Sequence, residues 1–189
     1  MKMANRSGAL MVCGLLLAVS CSRPAVDLAQ ETSDQELAFP EHYREWIFLS
    51  SGLDMSYRPG AMPGHSMFDN VFVDPESYAG FLREGHWPEG THLVLEVRGA
   101  TAKGSINQSG KFQSTELMGI EVHVRDTRRY AGGWAFFAFD GRAPAKRIAA
   151  TAECYSCHRE HGAVDTTFVQ FYPTLLEVAR AKGTLAPGR

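Results

Sequence analysis

The sequence has few cysteines, no apolar run long enough to cross a membrane and no excess of one charge. Of its four cysteines, Cys13 and Cys21 lie near the N-terminus, and only Cys154 and Cys157 lie in the rest of the chain. A fold held together by several disulfides is therefore excluded. The apolar run Ala9–Val19 has eleven residues, which is too short for a membrane-spanning helix.

The charge balance gives no sign of a nucleic-acid partner. The chain has 19 basic and 21 acidic residues in 189, and Lys2 and Arg6 are the only charged residues before Cys21. The remainder carries a formal balance of −4, with both signs interspersed. It has no basic patch or aromatic–basic stripe of the kind that binds nucleic acid. A hydrophobic content of 44% is enough for the core of one domain.

The N-terminal segment predicts export. A short basic start followed by Ala9–Val19 fits a signal peptide over residues 1–21. The stretch "AVSC", Ala18–Cys21, favours lipoprotein processing with a lipid on Cys21, and ordinary cleavage nearby is the alternative. Residues 22–38 are polar and predict a flexible tether. We therefore expect a periplasmic protein whose only membrane attachment is a lipid anchor at Cys21, in the outer membrane.

The most informative stretch is "CYSCH", residues 154–158, a C-x-x-C-H pattern. In this pattern two thiols bond covalently to haem c and the histidine binds the iron, so the motif predicts Cys154 and Cys157 as attachment residues and His158 as axial ligand. A zinc site that recruits His161 is an alternative, but no second cysteine pair follows. A redox disulfide is another, but no βαβ pattern precedes the pair.

The remaining patterns predict an α+β fold, mainly an antiparallel sheet with flanking helices, with the haem motif late in the chain before a C-terminal helix. Predicted helices lie within Phe39–Leu53, between the cap Asp74 and the stop Gly85, and within Phe168–Gly183. Predicted strands are Met67–Asp74, Thr91–Ala100, Lys111–Asp126 and Gly132–Gly141.

Over about residues 39–180 the chain resembles the cytochrome P-460 and cytochrome c-prime-beta family of periplasmic haem proteins. The resemblance is carried, in chain order, by "YREW" (43–46), "VDPESY" (73–78), "EGT" (89–91), "MGIE" (118–121), "GGWAFFAF" (132–139), "TAEC" with "CH" (151–158) and "QFYP" (170–173). It delimits a haem domain over residues 39–183.

The resemblance implies a homodimer with one five-coordinate haem c and nitric oxide as ligand. In the P-460 branch, which oxidises hydroxylamine, a lysine is bonded to the haem ring; the matching position here is Leu95, which has no nucleophile. We therefore expect binding of nitric oxide or related small nitrogen-oxide ligands, and electron transfer with a partner cytochrome. Hydroxylamine or nitric oxide oxidation is the alternative, so the resemblance leaves enzymatic activity undecided.

Several residues are candidates for the side of the haem opposite His158. Glu121 matches a carboxylate of the enzymatic branch and would relay protons there, although the alternation around it also allows a solvent-facing side chain. Phe68 would cap the pocket or lie in the core, and Asp69 stands where the enzymatic branch has an arginine. The candidates for a sixth iron ligand are His65, Met67, Met118 or none. Four histidines are expected on the surface or in loops: His42, His86, His92 and His123.

Overall fold

The computed structural model of the chain describes residues 31–33, 36–57 and 65–189. The strands are β1 (Glu31–Ser33), β2 (Glu36–Leu37), β3 (Ile47–Leu53), β4 (Met67–Val73), β5 (His92–Thr101), β6 (Phe112–Arg125), β7 (Trp134–Phe139) and β8 (Ala145–Lys146). The helices are α1 (Pro75–Glu84), α2 (Glu153–His161) and α3 (Pro173–Lys182), with 3-10 turns at Tyr43–Glu45 and Val169–Phe171.

The centre of the fold is a sheet of five antiparallel strands in the order β3-β4-β5-β6-β7. A smaller sheet joins β1, β2 and β8. The α+β class and the C-terminal helix after the haem motif are confirmed. Within the described part of the chain, no helix is long and apolar enough to cross a membrane.

Side chains alternate between the two faces of the large sheet, and this alternation decides which residues reach the site. Val71 pairs with Leu95, and Leu95 with Glu121, so these three share one face, which we call the cavity face. The next row, Asn70, Glu96 and Ile120, lies on the far face.

Each face has its own hydrophobic core. The far face packs under the residues of the Tyr43 turn and β2, with Trp46, Val122 and Phe137 among its buried side chains. The cavity face packs against the three helices, with Phe81 of α1 and Leu175 of α3 completely buried.

The helix predicted within Phe39–Leu53 is wrong. The chain forms only the short turn Tyr43–Glu45 and then enters β3. Its apolar residues are spaced as in a helix, but they pack into two different cores. Tyr43 and Trp46 are buried in the far-face core, whereas Leu49 is buried in the cavity-face core. The register shifts between Phe48 and Ser50, and pairing with β4 then fixes an extended strand.

The predicted ends of α1 are confirmed. The Asp74 carboxylate accepts a hydrogen bond from the Ser77 backbone N–H at 2.8 Å, and Pro75 occupies the first turn. Gly85 follows with φ of 73°, the left-handed conformation that glycine adopts without strain.

The end of the expected tether belongs to the fold. Glu36 and Leu37 form β2, which pairs with Lys146 and Ala145 of β8, and the Leu37 side chain is completely buried. The predicted signal peptide, the lipid anchor at Cys21 and the first part of the tether lie outside the described residues.

Candidate functional site

A cavity of about 630 Å³ lies between the cavity face of the sheet and α2. Its walls come from β4, β5 and β6 on one side, and from α2 and the segment Thr167–Tyr172 on the other. This volume lies in the range of cofactor pockets.

Helix α2 presents the haem-attachment motif to this cavity. Cys154, Cys157 and His158 are three and four residues apart, which puts them on one face of a helix, and all three line the cavity. Both thiols are free and half-buried, and burial raises the pKa of the Cys154 thiol. One short helix thus delivers two thiols and an imidazole to the same wall.

The imidazole of His158 has a fixed orientation. Its Nδ1 is 2.9 Å from the backbone carbonyl of Thr166, so Nδ1 carries the proton and Nε2 is the atom left for a metal. Burial lowers the pKa of His158, with the Thr166 carbonyl acting in the opposite direction. The rings of Phe136 and Phe168 pack against it, at centroid distances of 4.8 and 4.3 Å. A neutral imidazole with a defined donor atom fits an iron ligand.

His123 is a second histidine of the cavity, and its expected surface position is wrong. It lies on β6 and lines the cavity, and its ring is 4.1 Å from that of Phe136 between centroids. Burial, and secondarily the neighbouring His158, holds the pKa of His123 well below its usual value. The sequence held a signal for this position, because His123 is two residues after Glu121 on one strand and therefore shares its face.

Of the other three expected surface histidines, two are exposed and one is buried. His42 and His86 are exposed, whereas His92 is buried on β5, with Nδ1 2.8 Å from the Gly90 carbonyl. Its ring packs edge-on against Trp46 in the far-face core. His161 lines the mouth of the cavity and keeps about half of its side chain exposed.

Leu95 and Glu121 lie side by side on neighbouring strands and both line the cavity. Burial raises the pKa of the Glu121 carboxyl, and the charge of Asp69 adds to this. Asp69 also lines the cavity, and its own pKa is raised by burial and by Asp54. The solvent-facing alternative for Glu121 is therefore wrong.

Three candidates for the pocket do not line it. Phe68 lies between Met67 and Asp69, which do, so alternation along β4 turns Phe68 to the far face. The same alternation keeps Met118 out of the cavity, and 41% of it is exposed to solvent. His65 is also exposed outside the cavity. Of the proposed sixth ligands, only Met67 contributes to the wall.

The zinc alternative gains no support. In residues 31–33, 36–57 and 65–189, no three histidine, cysteine or acidic side chains group in a way that could hold a metal ion. The donor set at α2 consists instead of two thiols and one imidazole on a single helix face, beside a cavity of cofactor size. That set fits covalent haem attachment.

Comparison with models of protein families gives a match to the family described as Cytochrome P460, over residues 40–169. The match begins three residues before the Tyr43 turn and ends in the segment that follows α2, so it includes the five-stranded sheet and every residue of the C-x-x-C-H motif. Comparison with curated proteins gives no match.

Proposed function

Because the chain belongs to the cytochrome P460 family, we propose that it is an exported protein with one covalently bound haem c, which binds nitric oxide or a related small nitrogen-oxide ligand. The family implies a haem cofactor. The observation that carries the proposal is the delivery of Cys154, Cys157 and His158 by one helix face to a cavity walled by Leu95 and Glu121.

Attachment follows from the chemistry of the three side chains on α2. The Cys154 and Cys157 thiols would hold the haem through two thioether bonds, each by addition of a thiol to a vinyl group. Nε2 of His158 would bind the iron, while its Nδ1–H donates to the Thr166 carbonyl. Bound in this way, the haem supplies an iron that takes up a diatomic ligand.

The opposite wall favours small neutral ligands. Val71, Leu95 and Val97 line it with apolar side chains, which hold water less well than polar ones. Glu121 has a raised pKa in this setting, so a further negative charge nearby is unfavourable. Leu95 has no nucleophile, so the lysine–haem bond of the enzymatic branch cannot form at this position.

The second candidate function is hydroxylamine or nitric oxide oxidation, and Glu121 is the observation that favours it. A half-buried carboxyl with a raised pKa, inside the cavity, is suited to accept a proton from a bound substrate. In this reading Glu121 is a catalytic base that works without the lysine bond.

The first test asks whether haem is covalently bound. The mature protein is expressed with a c-type haem maturation system, extracted with acidified acetone, and examined as the pyridine haemochrome. We expect one haem per chain in the protein fraction with an unmodified c-type spectrum. In the Cys154→Ala, Cys157→Ala double variant, we expect the haem to be extracted into the acetone. Free extraction of haem from the natural protein would refute the attachment.

The second test separates ligand binding from catalysis. Nitric oxide is titrated into the ferrous protein, and hydroxylamine oxidation is measured under turnover with the natural protein and with Glu121→Gln. We expect nitric oxide binding in both and little or no oxidation in either. Steady oxidation by the natural protein that Glu121→Gln abolishes would instead establish the enzymatic alternative.

Location and assembly remain predictions. A periplasmic protein that starts at a lipidated Cys21 would show a diacylglyceryl mass at its N-terminus, and an unmodified terminus after Cys21 would rule out the anchor. The homodimer and the partner cytochrome come from the family resemblance. Light scattering of the purified protein tests the dimer, and a monomeric mass at all concentrations contradicts it.

A further inference from the structure

The turn after α2 has two consecutive residues other than glycine with left-handed backbone, a conformation that is strained above all for Thr166. Asp165 has φ of 47° and Thr166 has φ of 60°, and a β-branched threonine is rarely left-handed. Such backbone persists only where the surroundings enforce it, and it concentrates at functional sites. Here the strained turn carries the Thr166 carbonyl that accepts the hydrogen bond from His158 Nδ1.

Gly162 leaves the space that this turn fills. A Cβ at Gly162 would lie 2.5 Å from the Thr166 carbonyl carbon and 2.6 Å from its Cα. The φ of −63° at Gly162 suits any residue, so the requirement for glycine is one of space. The turn therefore closes on the end of α2 only because residue 162 has no side chain.

Asp165 holds the turn from the other side. Its carboxylate accepts a hydrogen bond from the Trp87 backbone N–H at 2.8 Å and lies 2.9 Å from His86 Nδ1. A guanidinium nitrogen of Arg125 is 3.9 Å away. Trp87 is itself buried, and its indole N–H donates to the Thr167 hydroxyl at 2.8 Å.

We propose that Gly162 and Asp165 are positioning residues that hold the Thr166 carbonyl against His158 and thereby set the strength of the iron–histidine bond. The inference rests on the proposed function, since His158 must bind the iron. A hydrogen bond from Nδ1 makes the imidazole a more basic ligand. A more basic ligand strengthens the iron–histidine bond and favours ferric iron, which lowers the midpoint potential.

The experiment measures the iron–histidine stretching frequency of the ferrous mature protein by resonance Raman spectroscopy, together with its midpoint potential. We expect Gly162→Ala and Asp165→Gly to lower the frequency and raise the potential. Asp165→Gly removes the carboxylate without opposing the left-handed backbone, and it decides the question if Gly162→Ala does not fold.

Two further variants serve as controls. Asp165→Asn keeps an oxygen that can accept from Trp87 N–H, so we expect it to restore most of the natural frequency. Gly104→Ala makes the same change as Gly162→Ala in the loop before β6, outside the cavity, where the atoms nearest to an added Cβ belong to the exposed ring of Phe112, and we expect it to leave the frequency unchanged.

The outcomes distinguish this inference from the proposed function. If Gly162→Ala and Asp165→Gly carry covalent haem with the frequency and potential of the natural protein, the positioning role is refuted while the haem function stands. Covalent haem without any iron–histidine stretch in the natural protein would refute His158 as the ligand, and the positioning role with it.

Discussion

The imidazole of His123 meets the edge of the His158 ring, with centroids 4.9 Å apart and ring planes at 78°. His123 also packs on Phe136 at 4.1 Å, so β6 supports the candidate iron ligand from the side while the Thr166 carbonyl fixes it from behind. Strand and turn together leave His158 little freedom to rotate.

His123→Ala should therefore lower the free energy of unfolding. Loss of a ring packed between Phe136 and His158 leaves a void, and comparable deletions cost about 2–5 kcal/mol. His123→Phe keeps a ring of similar shape and should cost less than about 1.5 kcal/mol. Urea unfolding of the mature haem-loaded proteins provides the comparison. Equal losses for the two variants would contradict a packing role.

The carboxyl of Glu121 gives a pH-dependent prediction. Its pKa in the fold is raised above the ordinary value of 4.5, so the fold binds this proton more tightly than the unfolded chain does. The stability that this proton contributes is complete below pH 4.5 and is lost as the pH rises through the higher folded pKa. Once the pH is above that folded pKa, the natural protein holds a charge in a half-buried site.

Glu121→Gln should accordingly raise the free energy of unfolding at pH 7, and the gain should disappear below pH 4.5. Glu116→Gln changes an exposed carboxylate of the same strand and should have no comparable effect. Unfolding curves across this pH range measure both. A Glu121→Gln protein less stable than the natural one at neutral pH would show that the charge is stabilised rather than penalised.

The far face of the sheet contains a buried ionic network centred on Glu96, which is 1% exposed. Its carboxylate accepts hydrogen bonds from Arg98 Nε at 2.8 Å and from Asn70 Nδ2 at 3.2 Å, and it also contacts Tyr43 and Arg44. Burial by itself raises the pKa of Glu96, but the hydrogen bonds from Arg98 and Tyr43 lower it below its ordinary value.

Glu96→Gln should destabilise the protein by about 3 kcal/mol, since breaking one side of a buried ion pair leaves charge uncompensated. The deficit should begin to shrink as the pH falls below 4.5, where the unfolded chain takes up the proton first, and it should be lost as the pH falls through the lowered pKa of the folded carboxylate. Glu177→Gln breaks an exposed pair with Arg180 and should cost less than about 1 kcal/mol. Similar costs for the two variants in thermal or urea unfolding would argue against the network.

Local sequence patterns correctly predicted the features that depend only on residues close together in the chain. Asp74 and Gly85 mark the ends of α1, and the spacing of Cys154, Cys157 and His158 places them on one helix face. The prediction from sequence was wrong where the secondary structure depends on residues that are distant in the chain. Ile47–Leu53 becomes a strand because β4 pairs with it, although its own spacing was helical.

The site shows the same limit. Alternation groups Glu121 with His123 and separates Phe68 from Asp69, but it does not reveal which face meets the cavity. That choice depends on where α2 and the Thr167–Tyr172 segment pack. The strained turn at Asp165 and Thr166 was not predicted either, because a β-branched threonine rarely adopts positive φ, although an aspartate does so more readily.

The last prediction concerns the sixth position of the iron. Met67 lines the cavity, but it lies far along β4 from the position of His123. The residue of β4 in the same row as His123 is Val73, since both pair with Leu93, and Met67 is six residues before Val73. Six residues of strand span about 20 Å, and the His123 ring contacts His158 directly. A methionine side chain cannot bridge that separation to an iron held by His158.

We therefore expect the ferrous haem to be five-coordinate, and we expect Met67→Leu to leave its visible and resonance Raman spectra unchanged. Nitric oxide should bind both proteins with the same affinity, because no protein ligand has to leave first. Met67→Leu replaces one apolar side chain by another of similar volume, so its stability should change by less than about 1.5 kcal/mol. A six-coordinate spectrum in the natural protein that Met67→Leu converts to five-coordinate would show that methionine reaches the iron.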